Sequence, residues 1–207
     1  LLAYVKGVNG SENIWVYDIL MEENYQVTFT KERKAELIFS PEGNQILFVQ
    51  ENLGTKFDIM SINLETNIIR QETNHPEWEL HPRWINSNTI GFTNHYQMGA
   101  GSFRKWSSLS LANKKENVFA DPDGHIVTPS LSRDKTRLFY QRGWPTGTLC
   151  VRNLITDQIK EITTDVHSPV VSNNGESIVY LKSAETGGKR EIWFHDISDI
   201  VSSMHLP

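Results

Sequence analysis

The sequence predicts an all-β fold, and the main observation behind this prediction is an internal repeat. Each copy runs as a strand of apolar or small residues, a polar turn and a second, alternating strand; the copies occupy 35–50, 80–95, 127–142 and 167–182. They follow one another at steps of 45, 47 and 40 residues, measured between Ser40, Ile85, Ser132 and Ser172. Four-stranded propeller blades repeat at this interval. No stretch sustains an apolar stripe with a period of 3.6 residues, so helix content should be low.

The predicted architecture is a β-propeller of about five four-stranded blades, or part of a larger six- or seven-bladed propeller. A second family of strands keeps the phase of the repeat, at 13–19, 58–64, 106–111, 148–154 and 191–197. We expect one domain, residues 1–207, with repeat units at about 1–30, 31–76, 77–123, 124–166 and 167–207. The first unit lacks an inner strand. We expect the ring to close only if the C-terminal tail adds an outer strand. Without it, a strand edge would stay unpaired, and unpaired edges lower solubility because they pair with other chains.

Composition excludes some function classes. The 207 residues carry a formal net charge of -5, and Lys and Arg are scattered, so no basic surface for nucleic acid is expected. No apolar run approaches the roughly 18 residues of a membrane helix. Cys150 is the single cysteine, which precludes an internal disulfide and suggests a small buried apolar residue. The chain lacks an initiator Met and a signal-peptide pattern, which favours a processed or truncated start.

The phrases "FSPEGNQILFV" and "FDIMSINLETN", and the segment "SNNGESIVYLKSAETGGKREIWFHDI", resemble the repeat of the TolB-like (WD-repeat-like, PD40) β-propeller family. The resemblance covers essentially the whole chain. It implies a bacterial protein with an extracytoplasmic, periplasmic or secreted location. It leaves function open, since such propellers serve as protein-binding modules, as gating domains of peptidases and as enzymes.

A local likeness concerns "WELHPRW" and "NTIGFTNH" together with His125, which look like oligogalacturonate lyase propellers. This likeness implies a general base at His81, a manganese ligand at His125 and a substrate-carboxylate contact at Arg83. The chain departs from the lyase pattern because no Gln/His cluster follows His125 and the number of blades is too small.

The residues leading into each inner strand should lie around one mouth of a propeller channel. Three histidines share this position, with Trp78 and Glu79 beside the first: His81, His125 and His167. Imidazole is a base near neutral pH and a common ligand of first-row metals, so the three could converge on an ion or an anionic substrate. The alternative is that each histidine caps its blade by bonding a neighbouring backbone group.

Two further segments are candidate binding surfaces. The segment 95–105 departs most from the repeat and reads as a long loop, which would carry Tyr96 and Phe103 on a rigid scaffold. Trp144 follows a glycine in a hairpin turn, where it would stack on a sugar, anchor a protein or pack on its own blade. The sequence "DPDG" at 121–124 lacks the remaining ligands of a calcium loop and reads as a turn.

The leading prediction is a non-enzymatic binding module that presents the channel mouth and the 95–105 loop to a protein or glycan partner, with no cofactor. One alternative is a metal-assisted lyase of the oligogalacturonate type, which would use a divalent metal such as manganese. The other is the propeller portion of a larger peptidase or sensor protein. No nucleophile elbow is present, which argues against a serine hydrolase within this chain.

Overall fold

The computed structural model describes residues 1–8, 11–52, 56–98, 101–143, 146–172, 175–183 and 189–204. These residues form antiparallel strands and one short helix, which confirms the all-β prediction and the low helix content. The chain divides into two compact units, Leu1–Val118 and Phe119–Pro207.

The first unit holds three sheets whose strands follow chain order. The first sheet contains β1 (Leu2–Val8), β2 (Ser11–Asp18) and β3 (Glu23–Gln26). The second contains β4 (Lys34–Phe39), β5 (Gln45–Asn52), β6 (Lys56–Asn63) and β7 (Ile69–Gln71). The third contains β8 (Trp78–Asn86), β9 (Thr89–Met98), β10 (Gly101–Ser110) and β11 (Glu116–Phe119).

The second unit holds one six-stranded sheet and a C-terminal helix. Its strands are β12 (Ile126–Leu131), β13 (Arg137–Arg142), β14 (Gly147–Asn153), β15 (Ile159–Val171), β16 (Ser177–Ser183) and β17 (Arg190–Asp196), followed by α1 (Ser198–Ser202). The early part of β15 pairs with β14 and its last residues pair with β16. Within the described residues the tail forms α1 and adds no outer strand, so β17 is the edge of this sheet.

Strand β5 shows how the core of the first unit is built. Its run Ile46–Val49 is buried, and alternate side chains point to opposite faces of the sheet. Ile46 and Phe48 join the cluster that contains Ile14 and Val16 of β2. Leu47 and Val49 join the cluster that contains Trp84 of β8 with Ile90 and Phe92 of β9. A sheet covered on both faces requires a continuous apolar run, and this explains why "ILFV" does not alternate with polar residues.

Each inner strand contains a β-bulge at the same phase of the repeat. The bulged residues adopt positive φ values of 54°, 55°, 48° and 48° at Glu36, His81, Thr128 and Ser168. The pairing register shifts around each of these positions. Their spacing reproduces the 45-, 47- and 40-residue steps of the sequence repeat. A bulge bends its strand and re-aims the side chains next to it.

The segment predicted as a loop at 95–105 is instead the end of a long hairpin, which corrects that prediction. Residues 95–98 extend β9 and residues 101–105 extend β10, with Tyr96 opposite Phe103 and Met98 opposite Gly101. The backbone groups of both arms therefore pair with each other, although the side chains there do not follow the repeat.

Gly91 on β9 should be required by the packing of Trp106. A Cβ added to Gly91 would lie 2.5 Å from the indole ring of Trp106, and that ring is only 1% exposed. We expect Gly91→Ala to lower the free energy of unfolding by about 1–3 kcal/mol, since a buried ring has to move. Gly7→Ala is the matched control, because a Cβ at Gly7 meets nothing within 4 Å. Urea denaturation of the two variants checks this, and equal stability would contradict it.

Candidate functional site

His81 lies on the bulge of β8, where it meets the bulge of β4. Its backbone N–H donates a hydrogen bond to the Glu36 carboxylate, and its Nε2 lies 3.8 Å from Glu36 Oε1. The imidazole keeps 28% of its surface exposed, and within the described residues its buried Nδ1 atom has no hydrogen-bond partner. The repeated bulge thus brings a base and a carboxylate from two adjacent inner strands together.

The pKa of the His81 imidazole is affected by its burial and by nearby charged side chains. Burial lowers the pKa of His81, the Glu36 carboxylate opposes this effect, and Arg83 and Arg104 reinforce it. The imidazole is therefore neutral at pH 7. Arg83 donates a hydrogen bond to the carbonyl of Pro82 at 2.8 Å and is otherwise exposed. The charges that act on His81 are thus two arginines and one carboxylate.

A row of register partners extends this site across the sheet. Trp78 on β8 pairs with His95 on β9, and His95 pairs with Arg104 on β10, so the three side chains share one face. The Trp78 and His95 rings meet edge to face at 5.7 Å, and Trp78 keeps 42% of its surface exposed. We name this surface the bulge patch, and its members are Trp78, His81, Arg83, His95 and Arg104.

Glu79, two positions before His81, belongs to a buried polar cluster. Its side chain is fully buried, Thr73 donates its hydroxyl to Oε2, and Oε1 lies 3.6 Å from His75 Nε2. His75 Nε2 also lies 3.0 Å from Glu116 Oε2. Burial raises the pKa of Glu79 to about 8; the Thr73 hydrogen bond and Lys56 oppose this shift, while Asp58 and Glu116 add to it. Glu79 is therefore mostly protonated at neutral pH.

Asp58 is the second buried carboxylate near Glu79. It accepts a hydrogen bond from Gln71 at 3.0 Å and another from Asn52, and Lys56 Nζ lies 3.3 Å from its Oδ1. A buried charge is tolerated when it is paired and hydrogen-bonded in this way. Sequence reasoning missed Asp58, His75 and Glu116. The available signal was a carboxylate at the buried phase of strand "FDIMSI".

The other predicted site residues lie elsewhere. Tyr96 accepts a hydrogen bond from Asn94 at 3.2 Å, and Lys105 Nζ lies 5.1 Å from its ring. His125 and His167 belong to the second unit; the His125 carbonyl accepts the N–H of Gly143 at 3.2 Å, and His167 is buried on β15. The side chain of Phe103 and the whole of Trp144 lie outside the described residues.

The convergence of His81, His125 and His167 on one ion stays a prediction. Across the described part of the chain, no group of three or more His, Cys, Asp and Glu side chains is arranged to hold a metal. Cys150 is buried, and burial raises the pKa of its thiol to about 12, so it behaves as an apolar residue. No helix in that same part is long and apolar enough to cross a bilayer.

The segment "DPDG" is a turn with a structural carboxylate. Asp121 Oδ1 accepts the N–H of Asp123 at 2.9 Å, and its Oδ2 accepts hydrogen bonds from the Tyr140 hydroxyl and, at 2.9 Å, from Arg142 Nε. The carboxylate is buried within the second unit. It therefore ties the turn to β13, in accordance with the turn prediction.

No family model and no curated protein matches the chain. Among solved structures, it resembles TolB from Acinetobacter baumannii, with a TM-score of 0.75 and 19% identity over 95% of this chain and 49% of that one. It also resembles an oligogalacturonate lyase in complex with manganese, with a TM-score of 0.72 and 12% identity over 96% of this chain and 60% of that one.

A third similar structure is the β-propeller domain of the Trilobed protease from Pyrococcus furiosus, with a TM-score of 0.69 and 13% identity over 94% of this chain and 62% of that one. The chain thus spans about half to three fifths of these structures. These similarities confirm a TolB-like β-propeller fold. At such identities they show the fold alone.

The buried Glu79 makes stability depend on pH. A pKa of about 8 in the folded state lies above the ordinary glutamate value of 4.5, so folding takes up a proton between these two pH values. The Glu79 contribution to the free energy of unfolding should therefore decrease as the pH rises through this window, by up to about 1.4 kcal/mol per pH unit. Glu79→Gln keeps the shape of the neutral acid and should remove this contribution.

Urea denaturation at pH 5.5, 7.0 and 8.5 measures the effect as the difference between wild type and Glu79→Gln. The matched control is Glu65→Gln, because Glu65 is exposed on a turn. The control should follow the wild type at every pH. A constant difference between wild type and Glu79→Gln would show that Glu79 is ionised in the folded protein.

Proposed function

We propose that the chain is a non-enzymatic binding module whose bulge patch holds an acidic segment of a protein partner. The observation that carries this proposal is that two arginines, Arg83 and Arg104, both lie close enough to His81 to lower its pKa, and the Glu36 carboxylate opposes them. The chain as a whole carries a net charge of -5, so this concentration of guanidinium groups stands out. Guanidinium groups bind carboxylates in a planar, bidentate geometry.

The composition of the bulge patch favours a protein over a glycan. Tryptophan and arginine are enriched among the residues that contribute most to protein–protein binding, and here Trp78 lies in one row with Arg104. These residues stand on paired strands and on a bulge rather than on a loop. Little conformational entropy would be lost on binding, because the site is formed in advance.

A labelled deca-glutamate peptide is a suitable probe, with deca-glutamine as the uncharged comparison. We expect Arg83→Gln combined with Arg104→Gln to weaken deca-glutamate binding by about tenfold or more, since two charge contacts are lost. The charge-matched control is Lys115→Gln combined with Arg133→Gln, both on exposed residues. Fluorescence polarisation at 50 and 200 mM salt also tests the electrostatic origin, because screening should reduce binding by the wild type.

Equal weakening in the control variant would mean that net charge alone attracts the peptide, and the proposal would fail. Tighter binding of oligogalacturonate than of deca-glutamate would overturn the choice of a protein partner. Unchanged binding in the double arginine variant would remove the bulge patch as the site.

A metal-assisted lyase is a second candidate, and the neutral protonation state of His81 favours it. A neutral, half-buried imidazole beside two arginines has the properties of a general base next to a carboxylate-bearing substrate. One of the similar structures is an oligogalacturonate lyase in complex with manganese. The reaction would remove the proton α to the carboxylate and expel the glycosidic oxygen, which leaves an unsaturated uronide.

Incubation with oligogalacturonate and Mn²⁺ separates the two candidates. The lyase requires an increase in ultraviolet absorbance from the unsaturated product, and this increase should be lost in His81→Ala. If the chain is a binding module, the absorbance should not increase.

A third candidate, the propeller portion of a larger peptidase or sensor, follows from the partial coverage of the similar structures. It predicts an effector domain encoded beside this segment. An extracytoplasmic location is a further proposal, which rests on the TolB-like resemblance. Fractionation of the source cells tests it.

A further inference from the structure

A cleft with mixed polar and apolar walls lies within the first unit, apart from the residues of the bulge patch. It has a volume of about 710 Å³ and is lined by the segments that follow β6 and β10, by the β8–β9 connection and by the first residue of β5, Gln45. Its walls come from the second and third sheets of that unit. Sites for small ligands have volumes of roughly 300–1,000 Å³, so the cleft is of suitable size. We call it the turn cleft.

The wall of the turn cleft is held by an ion pair between a buried Glu72 and a half-exposed Lys114. The Glu72 side chain is 5% exposed; it accepts the hydroxyl of Ser61 at 2.6 Å and contacts Lys114 Nζ at 2.6 Å. Glu72 follows β7, and Lys114 stands on the turn between β10 and β11, so the contact joins two neighbouring sheets. Lys114 is further fixed by a positive φ of 57° and by the bond from its N–H to the Ser110 carbonyl. The cleft is therefore formed before any ligand binds.

Arg70 supplies the charge available for a ligand. It lies on β7 opposite Ser61, its side chain is exposed at the cleft, and within the described residues no hydrogen bond or ion pair engages its guanidinium group. The Lys114 ammonium, by contrast, is neutralised by Glu72. The turn cleft thus offers one uncompensated positive charge, and it suits a ligand with one anionic group.

The rest of the lining suits a hydroxyl-rich molecule. Side-chain amides of Gln45 and Asn88 line the cleft and provide both donors and acceptors. Asn63 adds its amide N–H groups as donors, since its oxygen accepts hydrogen bonds within its own turn. Ile68, which is 51% exposed, adds apolar surface beside them. A sugar ring presents hydroxyl groups at its edge and C–H groups on its face, which matches this mixture. A flat apolar ligand would leave the amides without partners.

We propose that the turn cleft binds a small acidic sugar, with the anionic group on Arg70 and the hydroxyl groups on the amides. The anionic group can be a carboxylate, as in a sugar acid, or a phosphate, as in a sugar phosphate, because a guanidinium group recognises both. This site uses other strands and other residues than the bulge patch, so it stands independently of the proposed function.

Calorimetric titration of the whole chain with glucuronate, glucose 6-phosphate and glucose tests the proposal. We expect at least one of the two acidic sugars to bind, and glucose to bind at least about tenfold more weakly, since it lacks the charge-assisted contact. Arg70→Gln should weaken the acidic sugar by a similar factor and leave the weak binding of glucose unchanged. Arg133→Gln, on an exposed arginine of the second unit, is the matched control and should bind as the wild type does.

Ile68→Glu is a second variant, which places a carboxylate in the turn cleft and should abolish binding of the acidic sugar by repulsion. Ile68 is half exposed on a turn, so its replacement should leave the melting temperature nearly unchanged. Binding of only one acidic sugar would support the proposal and identify the anionic group. Failure of both acidic sugars to bind, or equal affinity in Arg70→Gln and wild type, would overturn it.

Discussion

The fold depends on hydrogen bonds from backbone N–H groups to side-chain oxygens at the hairpin turns. In three repeats a serine hydroxyl accepts the N–H of the residue five positions later, at 3.1, 3.1 and 3.0 Å for Ser40, Ser132 and Ser172. Asparagine or aspartate acts similarly after the next strand: the side-chain oxygen of Asn63 accepts two N–H groups at 3.0 and 2.9 Å. Such turns fix the register of the strands that they join. A slip of one residue on β5 would exchange the side chains that fill its two core clusters.

The inner-strand bulges follow from that fixed register. A residue other than glycine in the left-handed region costs about 1–2 kcal/mol, yet Glu36, His81, Thr128 and Ser168 all adopt this conformation. The strain is offset by the paired strands on either side and, at His81, by the hydrogen bond to Glu36. The bulge is therefore a property of the repeat, while the residue at the bulge is free to differ between repeats. This division explains how a structural repeat can carry a site in one copy only.

Features set by neighbouring residues, such as strands and turns, could be predicted from the sequence. Contacts between side chains from different strands could mostly not be predicted. The repeat, the strand-rich fold and the turn at Asp121 follow from spacing and turn residues, and the structure agrees. The hairpin at 95–105 was misread because "YQMGAGS" lacks regular alternation, although pairing between its two arms still satisfies the backbone. The contact of His81 with Glu36 joins residues 45 positions apart, and Glu116, whose charge acts on Glu79, lies on β11, far along the chain from β8. Thr73 and His75 contact Glu79 from the irregular segment between β7 and β8. None of these contacts is visible in a periodic pattern.

Glu79 and His81 on β8 are both held in their neutral forms near pH 7. Burial keeps Glu79 protonated below about pH 8, and burial together with the arginines keeps His81 neutral. The positive charge therefore resides on Arg83 and Arg104, whose guanidinium groups do not lose a proton in the physiological range. Neither of these two side chains on β8 therefore competes with the two guanidinium groups for an anionic partner.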